Sequence, residues 1–474
     1  MTAIDPPPAR PSVPLTPPAA APRKLSLPLS PHQPRPYTGP SKADVLAMRQ
    51  QYLNPALLHL YKDPLMLVEG SMQYLFDETG KQYLDAFAGI VTVSVGHCHP
   101  KITARVQQQV ATLTHTTTIY LHPTIALFAK KLAEHFPPGS NLSQTYFTNS
   151  GSESNELALL AAREFTGNPD ILSLRNGYHG GSSATMGATA HSSWKFKSNI
   201  TANNKYTTPG YCYRCPLGLT YPSCDIKCAR DTEDVIRYET SGQIAAFIGE
   251  PIQGVGGAVT PPPEYFKIVY DIVRKYGGLC IADEVQTGFG RTGEHFWGFQ
   301  NWGVTPDIVT MAKGIGNGCP LGAMTARPDV AAIMKNRTHF NTFGGNPVSM
   351  AQGLATLEVI DSENIQQNAK AVGGYLKSLL TALMDKHPLI GEVRGLGLML
   401  GVELVRDRRS KTPATTETLQ LLELARERAV LLGKGGLFGN VLRIKPPMCL
   451  SKDDAAYLAQ TLDEALTIIE ANPH

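Results

Sequence analysis

What this chain lacks narrows it first. Its 474 residues contain no run of about 18 apolar residues, so no helix is expected to cross a membrane. Charge is sparse and nearly balanced. Charged residues make up 18% of the chain and the formal net charge is +3, too little of one sign to support a nucleic-acid or anionic-membrane partner. No secretory leader opens the sequence. Eight cysteines in so long a chain do not make the disulfide framework of a small secreted domain. A reducing compartment is therefore expected, and the cytoplasm first. What is present is an ordinary globular composition, 42% hydrophobic, at a length that suits two or more domains.

Residues 1–40 are Pro-rich, with few charges and no periodicity, and read as a disordered tail. The alternative is a mitochondrial transit peptide, which would place the protein in the matrix. Arg10, Arg23 and Arg35 fit that reading; Asp5 and the dense prolines oppose it.

The stretch Leu279–Thr325 organises the rest. It contains two short apolar runs, each ending in one charged residue: Leu279-Cys280-Ile281-Ala282 before Asp283, and Ile308-Val309-Thr310-Met311-Ala312 before Lys313. Such runs predict buried strands of a parallel sheet. Ligands bind outside the carboxyl ends of those strands, so Asp283 and Lys313 are expected in one cleft. Gly314-Ile315-Gly316-Asn317-Gly318 follows as a flexible turn. A buried carboxylate beside a nucleophilic lysine suits pyridoxal phosphate. The lysine forms a Schiff base, and the carboxylate keeps the ring nitrogen protonated. On spacing alone, two charged strand ends or a surface ion pair explain the pattern as well.

Upstream, Gln144–Thr148 reads as a strand running into Asn149-Ser150-Gly151-Ser152 and then an Ala/Leu helix to about Thr166. Free amides at a helix start make an anion site. Simple N-capping by Ser150 or Ser152 explains the same residues. Ile244–Gly249 is another strand, and Glu250 at its end should face the cleft of Asp283. Gly395–Gly401 and Gly433–Gly436 lack the spacing of nucleotide-binding loops. Cys212, Cys215, Cys224 and Cys228 are spaced C-x2-C-x8-C-x3-C, a donor set that suits zinc or an iron–sulfur cluster. The eight-residue gap is short for a zinc ribbon, so no metal is expected and the loop is read as packed or redox-sensitive. His97, Cys98 and His99 are neighbours whose side chains alternate in direction and cannot share one ion.

Asp283-Glu284-Val285-Gln286-Thr287-Gly288-Phe289-Gly290-Arg291-Thr292-Gly293, then Pro306-Asp307, Lys313-Gly314 and Pro320-Leu321-Gly322-Ala323, resembles the signature of the class III aminotransferases, pyridoxal-phosphate enzymes of fold type I. The block Gly89–Pro100 resembles most closely the type-two alanine–glyoxylate branch of that family. The resemblance implies an α/β fold. A large domain over 100–345 would hold a mostly parallel sheet. A smaller α/β domain would form from 41–99 and 346–474. It implies that Lys313 holds the pyridoxal 5'-phosphate and moves the proton, with Asp283 at the ring nitrogen. Ser150, Gly151 and Ser152 would bind the phosphate, Tyr178 would stack on the ring, His179 would lie behind these contacts, and Gln286 would sit near the ring oxygen. Thr342, in the segment Thr338–Pro347, would reach the phosphate of a partner subunit, which implies a homodimer with shared sites. Arg443, in Leu442–Pro447, would grip a substrate α-carboxylate, and Glu250 would hold it away by a salt bridge when the donor's amino group is distal. The implied reaction is ping-pong amino transfer from alanine or a β- or ω-amino acid to a 2-oxo acid such as glyoxylate or pyruvate. An aminomutase, decarboxylase or amine lyase of the same fold is the alternative.

Overall fold

The computed structural model describes residues 24–198 and 203–472. In chain order the strands are β1 (Leu67–Ser71), β2 (Tyr74–Asp77), β3 (Gln82–Asp85), β4 (Gln144–Thr148), β5 (Ile171–Leu174), β6 (Asn204–Thr207), β7 (Ala246–Gly249), β8 (Leu279–Asp283), β9 (Ile308–Met311), β10 (Gly322–Ala326), β11 (Ile390–Leu396), β12 (Met399–Asp407), β13 (Thr412–Pro413), β14 (Val430–Leu431), β15 (Gly433–Gly435) and β16 (Val441–Ile444). Three sheets result. The largest has the order β4-β10-β9-β8-β7-β5-β6. Neighbours from β9 through to β6 run parallel, while β10 is antiparallel to both β9 and β4.

Every residue of β5, β7, β8 and β9 is buried, which is why these strands read as unbroken apolar runs. Alternation sorts their side chains to two faces. Ile248 and Ile281 pack under the helix Gly151–Thr166, with Leu157 and Ala161. Phe247 and Cys280 pack on the other face against Phe266 and Val269 of the helix Tyr265–Lys275. Covering both faces leaves only the strand ends free to carry chemistry. Because β5, β7, β8 and β9 are parallel, Arg175–Tyr178, Glu250, Asp283 and Lys313 all leave the sheet at one edge.

The two smaller sheets are β1-β2-β3-β14 and β11-β12-β16-β15, with β13 on β12. Parallel pairing of β3 with β14, Leu84 opposite Val430 and Asp85 opposite Leu431, ties the N-terminal segment to the C-terminal one. The helix Lys452–Ala471 packs on the helix Ile365–Lys386. It starts at Ser451, whose hydroxyl accepts from Asp454 N at 3.1 Å. No helix among the described residues is long and apolar enough to cross a membrane.

One expectation is corrected. Part of the segment read as a disordered tail is laid along the protein from Lys24 onward. Leu25 N donates to Gln460 Oε1 at 2.8 Å, Ser30 N to Gln82 Oε1 at 2.9 Å, and Arg35 N to Glu69 Oε2 at 2.9 Å. The His32 ring lies 5.4 Å from that of Phe76. Prolines forbid a regular ladder here, but side chains from outside accept from the amides of Leu25, Ser30 and Arg35. Residues 1–23 lie outside the described residues.

Candidate active site

Four strand ends and one helix start enclose a cavity of about 160 Å³. Ser150, Gly151 and Ser152 line one wall; Tyr178 and Glu250 line a second; Asp283, Gln286 and Lys313 complete it. Nine of the eleven residues assigned to the site from the sequence, His179 among them, thus meet in one place.

Lys313 follows β9 after a single residue, Ala312. Its backbone takes a left-handed conformation, φ 51°, uncommon for a side-chain-bearing residue. The turn is sharp, and the side chain enters the cavity instead of continuing the strand. Its amine makes no hydrogen bond or ion pair among the described residues. Burial pushes its pKa down to about 8, Arg443 adds to the shift, and Asp283 and Glu250 oppose it.

Asp283 is 3% exposed and accepts three hydrogen bonds. Asn155 Nδ2 donates to Oδ2 at 2.8 Å, His179 Nδ1 lies 2.8 Å from the same oxygen, and Val285 N donates to Oδ1 at 3.1 Å. Facing a carboxylate, Nδ1 is the nitrogen that carries the imidazole proton. His179 Nε2 is buried without a partner.

Ser150 caps the helix Gly151–Thr166, its hydroxyl accepting from Glu153 N at 3.2 Å. The amides of Gly151 and Ser152 belong to the first turn, where no intrahelical acceptor exists. The hydroxyl of Ser152 accepts from Gly181 N at 3.1 Å, which draws the Tyr178–Gly181 turn toward the helix start. Tyr178 is half-buried, its ring edge-on to Trp194 at 5.2 Å.

Glu250 is buried and accepts from Tyr178 N at 3.1 Å and Gly254 N at 2.7 Å. Burial raises its pKa, and Asp283 raises it further. Arg443, on β16, lies outside the set that walls the cavity. Its guanidinium sits 5.1 Å from the Phe87 ring centre and donates through Nη1 to Lys434 O at 3.4 Å. Its Nε and Nη2 are buried without partners, and burial pushes its pKa down to about 10. No ion pair joins Glu250 and Arg443 among the described residues.

Thr342 is exposed and does not reach its own chain's cavity. Its loop is anchored by Asn341, which donates to Glu153 Oε2 at 2.9 Å and accepts from Asn149 Nδ2 at 2.9 Å. The four cysteines at 212, 215, 224 and 228 are free thiols, ranging from exposed Cys212 to buried Cys228. No group of three or more His, Cys, Asp or Glu among the described residues is arranged to hold a metal ion. His97 and His99 instead face separate carboxylates, Asp85 at 2.8 Å and Glu363 at 3.1 Å.

Sequence reasoning missed two residues. Asn155 is four positions after Gly151, on the same helix face, a spacing that could have flagged it. Lys445 is two positions after Arg443, hence on the same side of an extended strand.

Residues 60–466 match the aminotransferase class-III family. The chain belongs to the class-III aminotransferases. It is 52% identical to the mitochondrial alanine–glyoxylate aminotransferase 2 homolog 2 of Arabidopsis thaliana over 93% of this chain and 91% of that protein. Among solved structures, an amine transaminase from an uncultivated Pseudomonas species in its PLP-bound form matches with 31% identity and a TM-score of 0.82, over 88% of this chain and 98% of that one. A phospholyase from Arthrobacter, in complex with phosphoethanolamine, matches with 33% identity and a TM-score of 0.84, over 90% and 100%. This class-III aminotransferase therefore has the fold type I architecture, uses pyridoxal 5'-phosphate, and acts on amino and oxo acids. The cavity suits that cofactor: it offers an unpaired amine, a carboxylate held by three donors and open amides at a helix start.

Proposed function

We propose that the enzyme moves the amino group of alanine, or of a β-amino acid, to glyoxylate or pyruvate. The observation that supports this reading is the convergence of Lys313, Asp283 and Glu250 on one small cavity, with the unpartnered guanidinium nitrogens of Arg443 outside its wall. The name of the Arabidopsis relative supports the substrate pair. When bound, pyridoxal phosphate supplies the electron sink for the substrate's reacting carbon. Lys313 Nζ would hold the cofactor, and its amine would take and return the proton at that carbon. Asp283, steadied by Asn155 and His179, keeps a proton on the ring nitrogen. Ser150, Gly151 and Ser152 orient the phosphate, Tyr178 covers the ring, and Gln286 donates at its oxygen. The free Nε and Nη2 of Arg443 receive a substrate carboxylate.

Assembly follows from Thr342. Its loop and the adjacent segment expose Ile119, Tyr120, Leu121, Phe340 and Phe343, an apolar patch of the kind that a second subunit covers. A homodimer would bring Thr342 to the partner's phosphate site. The large domain is placed at 100–345 and the small one at 41–99 with 346–474. A mitochondrial location is favoured by the name of the relative and by Arg10 and Arg23.

The phospholyase neighbour keeps an amine lyase in play as the second reading. Acceptor dependence separates the two. Alanine should yield one equivalent of pyruvate per site and then stop until glyoxylate is added. Steady release of ammonia from alanine or phosphoethanolamine without any oxo acid would establish the lyase instead.

A further inference from the structure

Lys445 lies just beyond β16, and no part of it is exposed. No carboxylate pairs with it among the described residues. Its Nζ donates to Gln286 Oε1 at 2.9 Å and to Gly254 O at 3.3 Å. The charged groups acting on it are the cations Arg443, Lys313 and Arg291 and the anion Glu250. Burial, reinforced by Arg443, moves its pKa well below the ordinary lysine value. An apolar side chain of the same length would fill this space without that penalty.

Those atoms belong to one amide. The Gln286 side chain lies flat against Gly254: a Cβ at that glycine would fall 2.3 Å from Oε1 and 2.4 Å from both Cδ and Nε2. The absent side chain leaves room for the amide plane but does not choose between its two faces. Lys445 chooses. Gly254 O can only accept, so Nζ must donate there, and its second donation goes to Gln286 Oε1. While Nζ carries its proton it has no lone pair, so turning the amide over would set Nε2 against Nζ, donor to donor, and forfeit that bond.

We infer that Lys445 is a positioning residue, which locks the Gln286 amide with Nε2 turned to the cavity and so presents a hydrogen-bond donor to the oxygen on the cofactor ring. This rests on the reading of Gln286 as the residue beside that oxygen. A donor at this place stabilises the ring oxygen as an anion and makes the bound cofactor easier to deprotonate. Losing it should therefore raise the pH at which the cofactor's visible absorption changes.

The test uses holoenzyme with measured cofactor content and follows that midpoint. Lys445→Met should raise it by about one pH unit. Gln286→Ala should raise it too, and the double variant should go no further than Gln286→Ala alone, since both act through one amide. A midpoint unmoved in Lys445→Met but moved in Gln286→Ala overturns the role of Lys445. Additive shifts overturn action through Gln286. No shift in either variant removes Gln286 from the ring, and with it the reading on which this inference stands. Should Lys445→Met fail to fold, Gly254→Ala displaces the same amide and leaves the charge in place. It should shift the midpoint in the same direction, and an unchanged midpoint there overturns the inference.

Discussion

Asn155 Nδ2 donates to Asp283 Oδ2 at 2.8 Å, while Asn155 Oδ1 accepts from Thr310 Oγ1 at 2.5 Å. One side chain thus ties the helix Gly151–Thr166 to β8 and to β9, the strand that delivers Lys313. The carboxylate, the amine and the helix start are held in one frame by a residue that need not touch substrate.

Asn155→Ala should slow the single-turnover rate about ten-fold, since it removes one hydrogen bond to a charged group. Asp283→Ala should cost about a hundred-fold or more, because the charge itself is lost. Rapid-mixing absorbance of the alanine half-reaction measures both. An Asn155→Ala rate equal to wild type would remove it from this role.

The lowered pKa of Lys313 predicts two pH effects. Its amine is about one-tenth neutral at pH 7, so cofactor capture by the cofactor-free protein should accelerate toward pH 8 and level off above. Stability should follow with a definite sign. Between pH 8 and 10.5 the unfolded lysine holds a proton that the folded one has lost, so stability rises with pH through that window. Below it the buried charge costs about 3 kcal/mol at most. Cofactor-free Lys313→Met should therefore be the more stable protein at pH 7, with a gap that closes toward pH 10.5. Urea midpoints compare the two, and a gap independent of pH contradicts the shift. The same variant should not be fixed to the cofactor by borohydride.

Arg443→Ala should raise KM for the 2-oxo acid strongly, at a cost of about 2–5 kcal/mol, with a smaller effect on kcat. Glu250→Gln should alter the preference between alanine and β-alanine more than the total rate. Separate half-reactions for each donor decide this. Equal losses on every substrate would make both residues structural.

Replacing Cys212 and Cys215 by Ser should leave the absorption spectrum and turnover unchanged, because neither thiol lies at the cavity. Stoichiometric zinc or iron in the pure protein, lost together with activity in that variant, would reverse this.

Local pattern in the sequence is enough to mark Asp283, Lys313 and Glu250 as strand-end residues. A parallel strand buried on both faces must be apolar throughout, so a single charge at its end stands out. Ser150, Gly151 and Ser152 are legible for a similar reason, since helix starts have unmet amides wherever they occur. Tertiary structure alone decided the rest. Leu25, Ser30 and Arg35 of the Pro-rich segment found side-chain partners at Gln460, Gln82 and Glu69, which no local composition announces. Among the described residues Glu250 is held by two backbone amides and makes no ion pair with Arg443. Asn155 meets Asp283 across 128 residues of chain, and Lys445 meets Gln286 across 159. Hydrogen bonds of a few ångströms between such distant residues depend on how the sheets dock, and that is settled only when the apolar faces of the whole chain are buried together.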